Sequence, residues 1–587
     1  MRLIFDIETD GLLDKVSKVH CLVAYNPDED TLFRFDNTQI EQGLSLLSEA
    51  TELIGHNIMG YDIPVLEKVT GWKYYGKLTD TLVLSRLIWP DVSERDYPRH
   101  LKGEFPSSLI GSHSLKAWGV RLGEHKGSFN ESTDWSEYST EMLDYCTQDV
   151  KLNMKFYNLI ESKDYSQDAI DLEHEIHRIC LQQTRHGFPF DVQKAVELYA
   201  VLQDKRDAIK RQLEATFGSW WESEGEFTPK VTRGAYTAGC TMTKIRRVTF
   251  NPSSREHIAR KLKELGWKPK VFTETNLPKV DEAVLSSLPY PEAKLLCEYL
   301  LVEKRIGQIA EGRQSWLKLE NEGRIHGQVT TMGAVTSRCT HQNPNMAQVP
   351  SVKAPYGQEC RSLFYAPPGF VLMGCDVSGL ELRCLAHFMA RYDGGEYGRV
   401  LLEGDIHTAN QEAAGLPTRA DAKTFIYAFL YGAGDEKIGK IIGKGAREGK
   451  KLKESFLAKT PALKKLREGV STAAERGYIR ALDGRLMPIR HPHAALNTLL
   501  QGAGAIICKR WVVIFHQLLR EHGFADGLDY QQVAFVHDEI QVLVKENYAD
   551  KIGELCIKAI REAGEYYGIR LPLDGEYKFG SNWADTH

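Results

Sequence analysis

Two sets of residues in this sequence have the types and spacing of metal-dependent phosphate chemistry. The first opens the chain. "LIFDIETDG" reads as a strand with Asp6 and Glu8 two residues apart, and side chains i and i+2 of a strand share a face. "GHNIMGYD" adds Asn57 and Asp62. "DYCTQDV" adds Tyr145 and Asp149, whose i, i+4 spacing puts a phenol and a carboxylate on one helix face. Asp6, Glu8, Asp62 and Asp149 together could hold two divalent ions through oxygen, as Mg²⁺ or Mn²⁺ prefer. Two such ions about 4 Å apart activate a water and stabilise the leaving oxygen of a phosphodiester. Tyr145 would orient that water. A DxE pair alone is common among surface acids; the reading rests on all three elements.

The second set lies in the C-terminal half. "QVAFVHDEIQVLV" holds His537, Asp538 and Glu539 between two β-branched runs, which read as strands with the polar trio at or near their turn. Alone, the trio could be a solvated hairpin tip. "LMGCDVSGLELRCLAHFMA" places Asp376 at the end of an apolar strand and Glu381 at the start of a helix, and "GDIHTAN" contributes His407. In "LPTRADAKTFIYAFLYGAG", Thr418 reads as an N-cap and Gly432 as a C′ residue. Between them Arg419, Lys423, Tyr427 and Tyr431 recur every four residues, one stripe of a helix. Two cations followed by two aromatics suit a triphosphate and a stacked base; the alternative is an amphipathic helix with its aromatics in the core. "GKIIGKGAR" lacks the spacing of a phosphate-binding P-loop.

The elements that must position these residues divide the chain. Residues 1–165 alternate strands ("RLIF", "HCLVAY", "TLFRF") with helices such as "SLLSEA", an α/β pattern. Helical periodicity dominates 166–325; strands around "GFVLMGCDVSG" open 326–400; 401–500 is mostly helical; 501–587 contains the hairpin. Hydrophobic residues are 42% and charged ones 26%, ordinary for a globular protein. No apolar run is read as a membrane span, and "MRLIFDIETDG" has acids where a signal peptide needs its apolar core, so no export is expected. The eleven cysteines form no CxxC pair, which suits reduced thiols. The net charge of −5 argues weakly against nucleic acid, but its distribution does not: residues 228–272 carry eleven Lys/Arg against two acids, and residues 435–470 eleven against five. Such runs suit polyanion-gripping surfaces.

The first three elements resemble the Exo I, Exo II and Exo III motifs of the DEDD 3′–5′ exonucleases, in the variant with Tyr in the third motif. The second set resembles motifs A, B and C of the Pol I family (family A) DNA polymerases: Asp376 in A, the Arg419–Tyr431 helix in B, "VHDE" in C. "GLELRCLAHFMARYD", "KTFIYAFLYGAGDEKIG", "HAALNTLLQ" and "VHDEIQV" are similar to the replicative polymerases of T-seven-type short-tailed bacteriophages. The resemblance covers essentially the whole chain. It implies a multidomain α/β and α+β protein: an RNase-H-like exonuclease domain (1–165), thumb and connecting helices (166–325), palm (326–400 and 501–587) and fingers (401–500).

The same resemblance implies roles. Asp376 and Asp538 would hold two Mg²⁺ between primer 3′-OH and dNTP, and two further ions would sit at the exonuclease site, with Mn²⁺ an alternative metal. Arg419, Lys423 and His407 would bind the triphosphate, with Lys423 able to protonate pyrophosphate. Glu381 would exclude ribonucleotides, Tyr427 would stack near the incoming sugar and admit dideoxynucleotides, and Tyr431 would line the same pocket. Arg338, Gln348, Asn497 and Gln501 would track the duplex through minor-groove acceptors that all correct pairs share; His537 would steady the primer end, with Glu539 auxiliary. Implied partners are primer–template DNA, dNTPs, a replisome helicase/primase and a single-strand-binding protein. The chain would act as a monomer, without a membrane, in the cytoplasm of an infected bacterium. In one well-known member a long basic thumb insertion recruits host thioredoxin; the corresponding "TPKVTRGAYTAGCTMTKIRRVTFNPSSR" is short, which argues against thioredoxin dependence. An exonuclease with an inactive polymerase half, a non-catalytic nucleic-acid binder and a single-subunit RNA polymerase are weaker alternatives. The intact Asp376/Asp538 pair and the Arg419 stripe oppose the first, two complete carboxylate sets the second, and Glu381 with the exonuclease elements the third.

Overall fold

The computed structural model describes residues 1–124 and 134–586. It contains two compact units: Met1–Phe188 with Gly327–Gln348 and Ala366–His587, and Pro189–His326 with Val349–Tyr365.

The first unit contains two mixed layers. Strands β1 (Arg2–Thr9), β2 (Val19–Asn26), β3 (Thr31–Phe35), β4 (Glu52–Gly55) and β5 (Lys77–Asp80) form a sheet of order β3-β2-β1-β4-β5. β1 pairs antiparallel with β2 and parallel with β4. Leu3, Phe5 and Ile7 of β1 fill one core with Leu22, Ala24, Val65 and Leu66. The opposite face packs Ile4, Cys21, Val23 and Ile54 against Cys146 and Val150. Period-two alternation therefore puts Asp6 and Glu8 on the second face. Helix α1 (Asp62–Thr70) follows β4, and α2 (Thr140–Glu161) covers the acidic face. Next comes α3 (Gln167–His186).

The second sheet consists of β6 (Phe370–Val377), β7 (Tyr530–Val536), β8 (Glu539–Lys545) and β9 (Gly575–Gly580), in the order β7-β8-β6-β9 and antiparallel throughout. Helices α4 (Leu380–Asp393), α5 (Arg419–Leu430) and α6 (Ala495–Glu521) pack around it in one continuous core. By length and composition the segment Pro492–Glu521, which contains α6, could cross a membrane (an 18-residue window has mean hydropathy 1.3), contrary to the expectation that no run is apolar enough. 83% of that window is instead buried within the protein, so its apolarity reflects packing.

The units divide the chain differently from the expected 166–325 boundary. Leu172, Ile176, Ile179 and Cys180 of α3 join the core of the second sheet, so residues 166–188 stay in the first unit. Glu173 of α3 bonds the guanidinium of Arg485 at 2.6 Å and the ammonium of Lys509 at 2.7 Å. Asp483 bonds the same guanidinium at 2.5 Å. All four side chains are at most 1% exposed, so each charge depends on its neighbours.

In the second unit the helices Val192–Phe217 and Pro291–Ile306 supply Ile209, Leu213, Leu296 and Tyr299 to a core shared with Phe250, Ile258 and Leu262. Ser219–Phe227 and Met242–Thr249 pair as an antiparallel ribbon. Residues 349–365, expected in the palm, return to this unit: the Phe364 and Phe190 rings meet at a tilt with centroids 5.3 Å apart, and Asp191 N–H donates to Leu363 O at 2.8 Å.

Candidate active sites

The hairpin reads as the sequence implies. β7 ends at Val536 and β8 begins at Glu539, the two facing in register, so His537 and Asp538 form a two-residue turn. His537 has φ +59°, the left-handed value such turns require. Asp376 faces Glu539 across the β6–β8 ladder, and Val377 N–H donates to Asp538 O at 3.1 Å. Asp538 thus stands beside the exposed end of Asp376. Burial, then the charges of Glu381 and Asp376, push the Asp538 carboxyl up to about 6. A clustered set of carboxylates that repel one another is relieved by a divalent cation, which supports Asp376 and Asp538 as ligands.

Gly379, at φ +57°, turns the chain into α4 and leaves Glu381 in its first turn. Tyr431 O–H donates to Glu381 Oε1 at 2.8 Å, with Arg338 3.9 Å from the same oxygen. A small cavity of about 30 Å³ is lined by Arg338, Glu381, Gln501, His537 and Asp538. Asn497 is one turn before Gln501 on α6. Gln348 is in the same unit but not among the residues lining this cavity. Trp583 Nε1 and Gln541 Nε2 both donate to Glu539 Oε1, at 2.8 and 2.7 Å. This oxygen is therefore already engaged, which fits an auxiliary role.

α5 starts at the expected cap: Thr418 Oγ1 accepts from Asp421 N at 3.0 Å. It ends as expected: Tyr431 is the C-cap and Gly432, at φ +72°, the C′ residue. Phe425 and Phe429 fill the core, while Arg419 and Lys423 are exposed and Tyr427 is half-buried. The aromatics of the stripe are therefore not the ones that build the core. His407 lies 6.4 Å from Tyr427 by ring centroids. Burial, then the positive charges of Arg419 and Lys423, pull His407 below its usual range, so it is neutral near pH 7. One residue the sequence reading passed over joins this group. Asp405 caps the helix that begins at Ile406 and accepts two bonds from Arg419, at 2.6 and 3.1 Å. Its position two before His407 in "GDIHTAN" was the available signal.

At the N-terminal sheet, Asp6, Glu8 and Cys146 place ligand atoms within 4.8 Å of one another. Asp62 begins α1, is 3% exposed and lies within hydrogen-bonding reach of Asp6. Burial above all, and Asp80's charge, push it up to about 7. Tyr145 and Asp149 are both buried on α2. The four acids and the tyrosine thus come from three elements, β1, α1 and α2, and among the described residues Asp62's buried oxygen Oδ1 has no hydrogen-bond partner. This donor set fits divalent ions. Asp80, also missed, orders the loop ahead of Asp62: its carboxylate accepts from the backbone N–H of Asn57, Met59 and Leu82 at 2.8, 3.2 and 2.9 Å. The sequence signal was its place as N-cap of "TLVLSRLI".

The model of the DNA polymerase family A matches residues 232–585. Over its full length the chain is 39% identical to the DNA-directed DNA polymerases of Enterobacteria phage T3 and Escherichia phage T7, covering 100% of each. In fold it is similar to the POL domain of Pol1 from M. smegmatis, solved with DNA primer-template and dNTP: TM-score 0.76, 17% identity, 99% of this chain and 96% of that one covered.

Proposed function

The chain belongs to DNA polymerase family A, and from that premise we propose that it extends a primer 3′-OH on a template with dNTPs and removes misinserted nucleotides at a separate 3′–5′ exonuclease site. It is a DNA-directed DNA polymerase close to phage replicative enzymes, and its place of action is the cytoplasm of an infected bacterium. Primer–template DNA and dNTPs are its substrates.

The observation that carries the reading is the β7–β8 turn, which sets Asp538 beside Asp376 in the first turn beyond the β6 ladder. Divalent ions, generally Mg²⁺, would supply charge that favours the primer alkoxide and neutralises pyrophosphate; Asp376 and Asp538 would hold two of them, and Asp6, Glu8, Asp62 and Asp149 two more at the exonuclease site. Arg419, Lys423 and His407 grip the triphosphate. Lys423 gives a proton to the departing pyrophosphate. Glu381, tied to Tyr431, closes the space a ribose 2′-OH would need. Tyr427 packs against the incoming sugar, while Arg338, Gln348, Asn497, Gln501 and His537 follow the primer end and the duplex. At the second site Tyr145 orients the water that attacks the terminal phosphodiester.

A primer–template assay with Asp538→Ala and Asp6→Ala tests both sites. The first variant should lose extension and keep degradation; the second should do the reverse. Each loss should be about a thousandfold or more. Loss of both activities in both variants would show that the two sites are not independent.

A further inference from the structure

The exonuclease centre contains a sulfur that the carboxylate reading does not use. Cys146 follows Tyr145 on α2 and precedes Asp149 by one turn, so it faces the same side as that acid. It is 0% exposed. Its Sγ lies 3.3 Å from the backbone oxygen of Asp6 and 3.9 Å from Asp6 Oδ2. Among the described residues, Asp6, Glu8 and Cys146 are the group whose three ligand atoms lie within 4.8 Å of one another. A second observation points to a ligand at the same place. Asp62 is 3% exposed, lies within hydrogen-bonding reach of Asp6, and its Oδ1 has no partner among the described residues.

Mg²⁺ takes oxygen ligands and makes no use of a thiol. Zn²⁺ and its heavier congener Cd²⁺ bind sulfur well, and Zn²⁺ is satisfied by four ligands of mixed N, O and S type. The carboxylates of Asp6 and Glu8 and the thiol of Cys146 supply three ligands of such a set. We propose that Cys146 is a metal ligand of the exonuclease centre for thiophilic divalent ions, so that Zn²⁺ or Cd²⁺ occupies it through Asp6, Glu8 and Cys146 and arrests degradation. The thiol proton passes to solvent as the metal–sulfur bond forms, with no change in oxidation state. The consequence is selective: extension and proofreading would differ in their response to zinc, because the sulfur sits at only one of the two carboxylate sites in this three-ligand arrangement. The inference rests on the metal-dependent exonuclease reading given above.

The test uses the full chain, with Cd²⁺ as probe. Binding is measured by calorimetry, and sulfur coordination by cadmium–thiolate charge-transfer absorption in the ultraviolet. Wild type should bind Cd²⁺ with that absorption. Cys146→Ser should lose it and bind more weakly by no less than the roughly 10–100-fold that outer-shell partners are worth. The Zn²⁺ concentration that halts degradation should rise by a similar factor. Thermal unfolding and primer extension, which do not involve Cys146, report whether the variant is folded, and Cys146→Ala serves if the serine is not tolerated. Absorption and affinity that persist in the folded variants would overturn the proposal. Asp6→Ala separates the two ideas: if it leaves both Cd²⁺ binding and degradation intact, the metal reading of the centre falls, whereas loss of both in Asp6→Ala with no effect in Cys146→Ser overturns only the role of the sulfur.

Discussion

Asp405 holds Arg419 by two hydrogen bonds, Nε to Oδ2 at 2.6 Å and Nη2 to Oδ1 at 3.1 Å. The same carboxylate accepts from His407 N and Thr408 N. One side chain therefore orients two of the groups assigned to the triphosphate, a cation directly and a histidine through its helix. Its bonds to Arg419 and Thr408 hold it well below the usual carboxylate range.

Asp405→Asn keeps an oxygen for the helix cap and discards the charge that orients Arg419. KM for dNTP should rise about two- to fivefold, the scale of an exposed ion pair, with kcat little changed. In an Arg419→Ala background the substitution should add nothing. Steady-state kinetics of the four proteins decide it; an added effect in the double variant, or a lower KM, contradicts the role.

The raised carboxyls make stability depend on pH in a defined direction. Burial pushes Asp62 from the ordinary 3.8 up to about 7 and Asp538 up to about 6. A carboxyl whose folded pKa exceeds its unfolded value stabilises the fold fully below the unfolded pKa, and that contribution is lost as pH rises through the folded one. The metal-free protein should therefore lose stability from these groups between 3.8 and about 7. Asp62→Asn should flatten the lower-stability limb at pH about 8 and raise Tm there, and Mg²⁺ should raise Tm of wild type at that pH more than at pH about 5. Thermal melts across pH with and without metal measure both.

Glu173 is the shared anion of a buried cluster. Glu173→Ala leaves Arg485 and Lys509 with too little compensation and should destabilise the first unit by about 3–5 kcal/mol. Glu173→Gln, which keeps an acceptor, should cost less. Denaturant midpoints followed by a signal from that unit give the comparison.

Tyr427 is half-buried near Glu381 and Asp538, and burial raises its phenol above the usual range, so it is a neutral O–H donor at working pH. Wild type should incorporate dideoxynucleotides readily. Tyr427→Phe removes the donor, and dideoxy incorporation relative to normal dNTP should fall by about tenfold, the worth of one hydrogen bond. Competitive primer extension reads the ratio; strong rejection of dideoxynucleotides by wild type would count against the assignment.

Local periodicity accounts for what was legible early. Asp6 and Glu8 share a face because a strand repeats every two residues; Arg419, Lys423 and Tyr427 share a stripe because a helix repeats every 3.6. Thr418 caps α5, and the trio lies at the β7–β8 turn, as their residue types imply. Asp405 and Asp80 went unread because a lone acid before a helix signals only a cap; its second partner lies elsewhere in the chain. The membrane-like apolarity of Pro492–Glu521 and the allegiance of α3 escaped for a related reason: both depend on what packs against the helix.

The amino-acid sequence by itself determined the family, the strand-and-helix presentation of each acid, and the cationic stripe, since these follow from residue identity and backbone repeat. Only the tertiary structure decided which acids meet. It packs α1 and α2 on opposite faces of the β1 sheet with Asp62 still in reach of Asp6, sets Asp538 beside Asp376, buries Asp62 deeply enough to push its carboxyl up to about 7, and lays Cys146 against Asp6. Backbone repeats act over a few residues, whereas desolvation and Coulomb interactions depend on distance through space, which the order of residues does not specify.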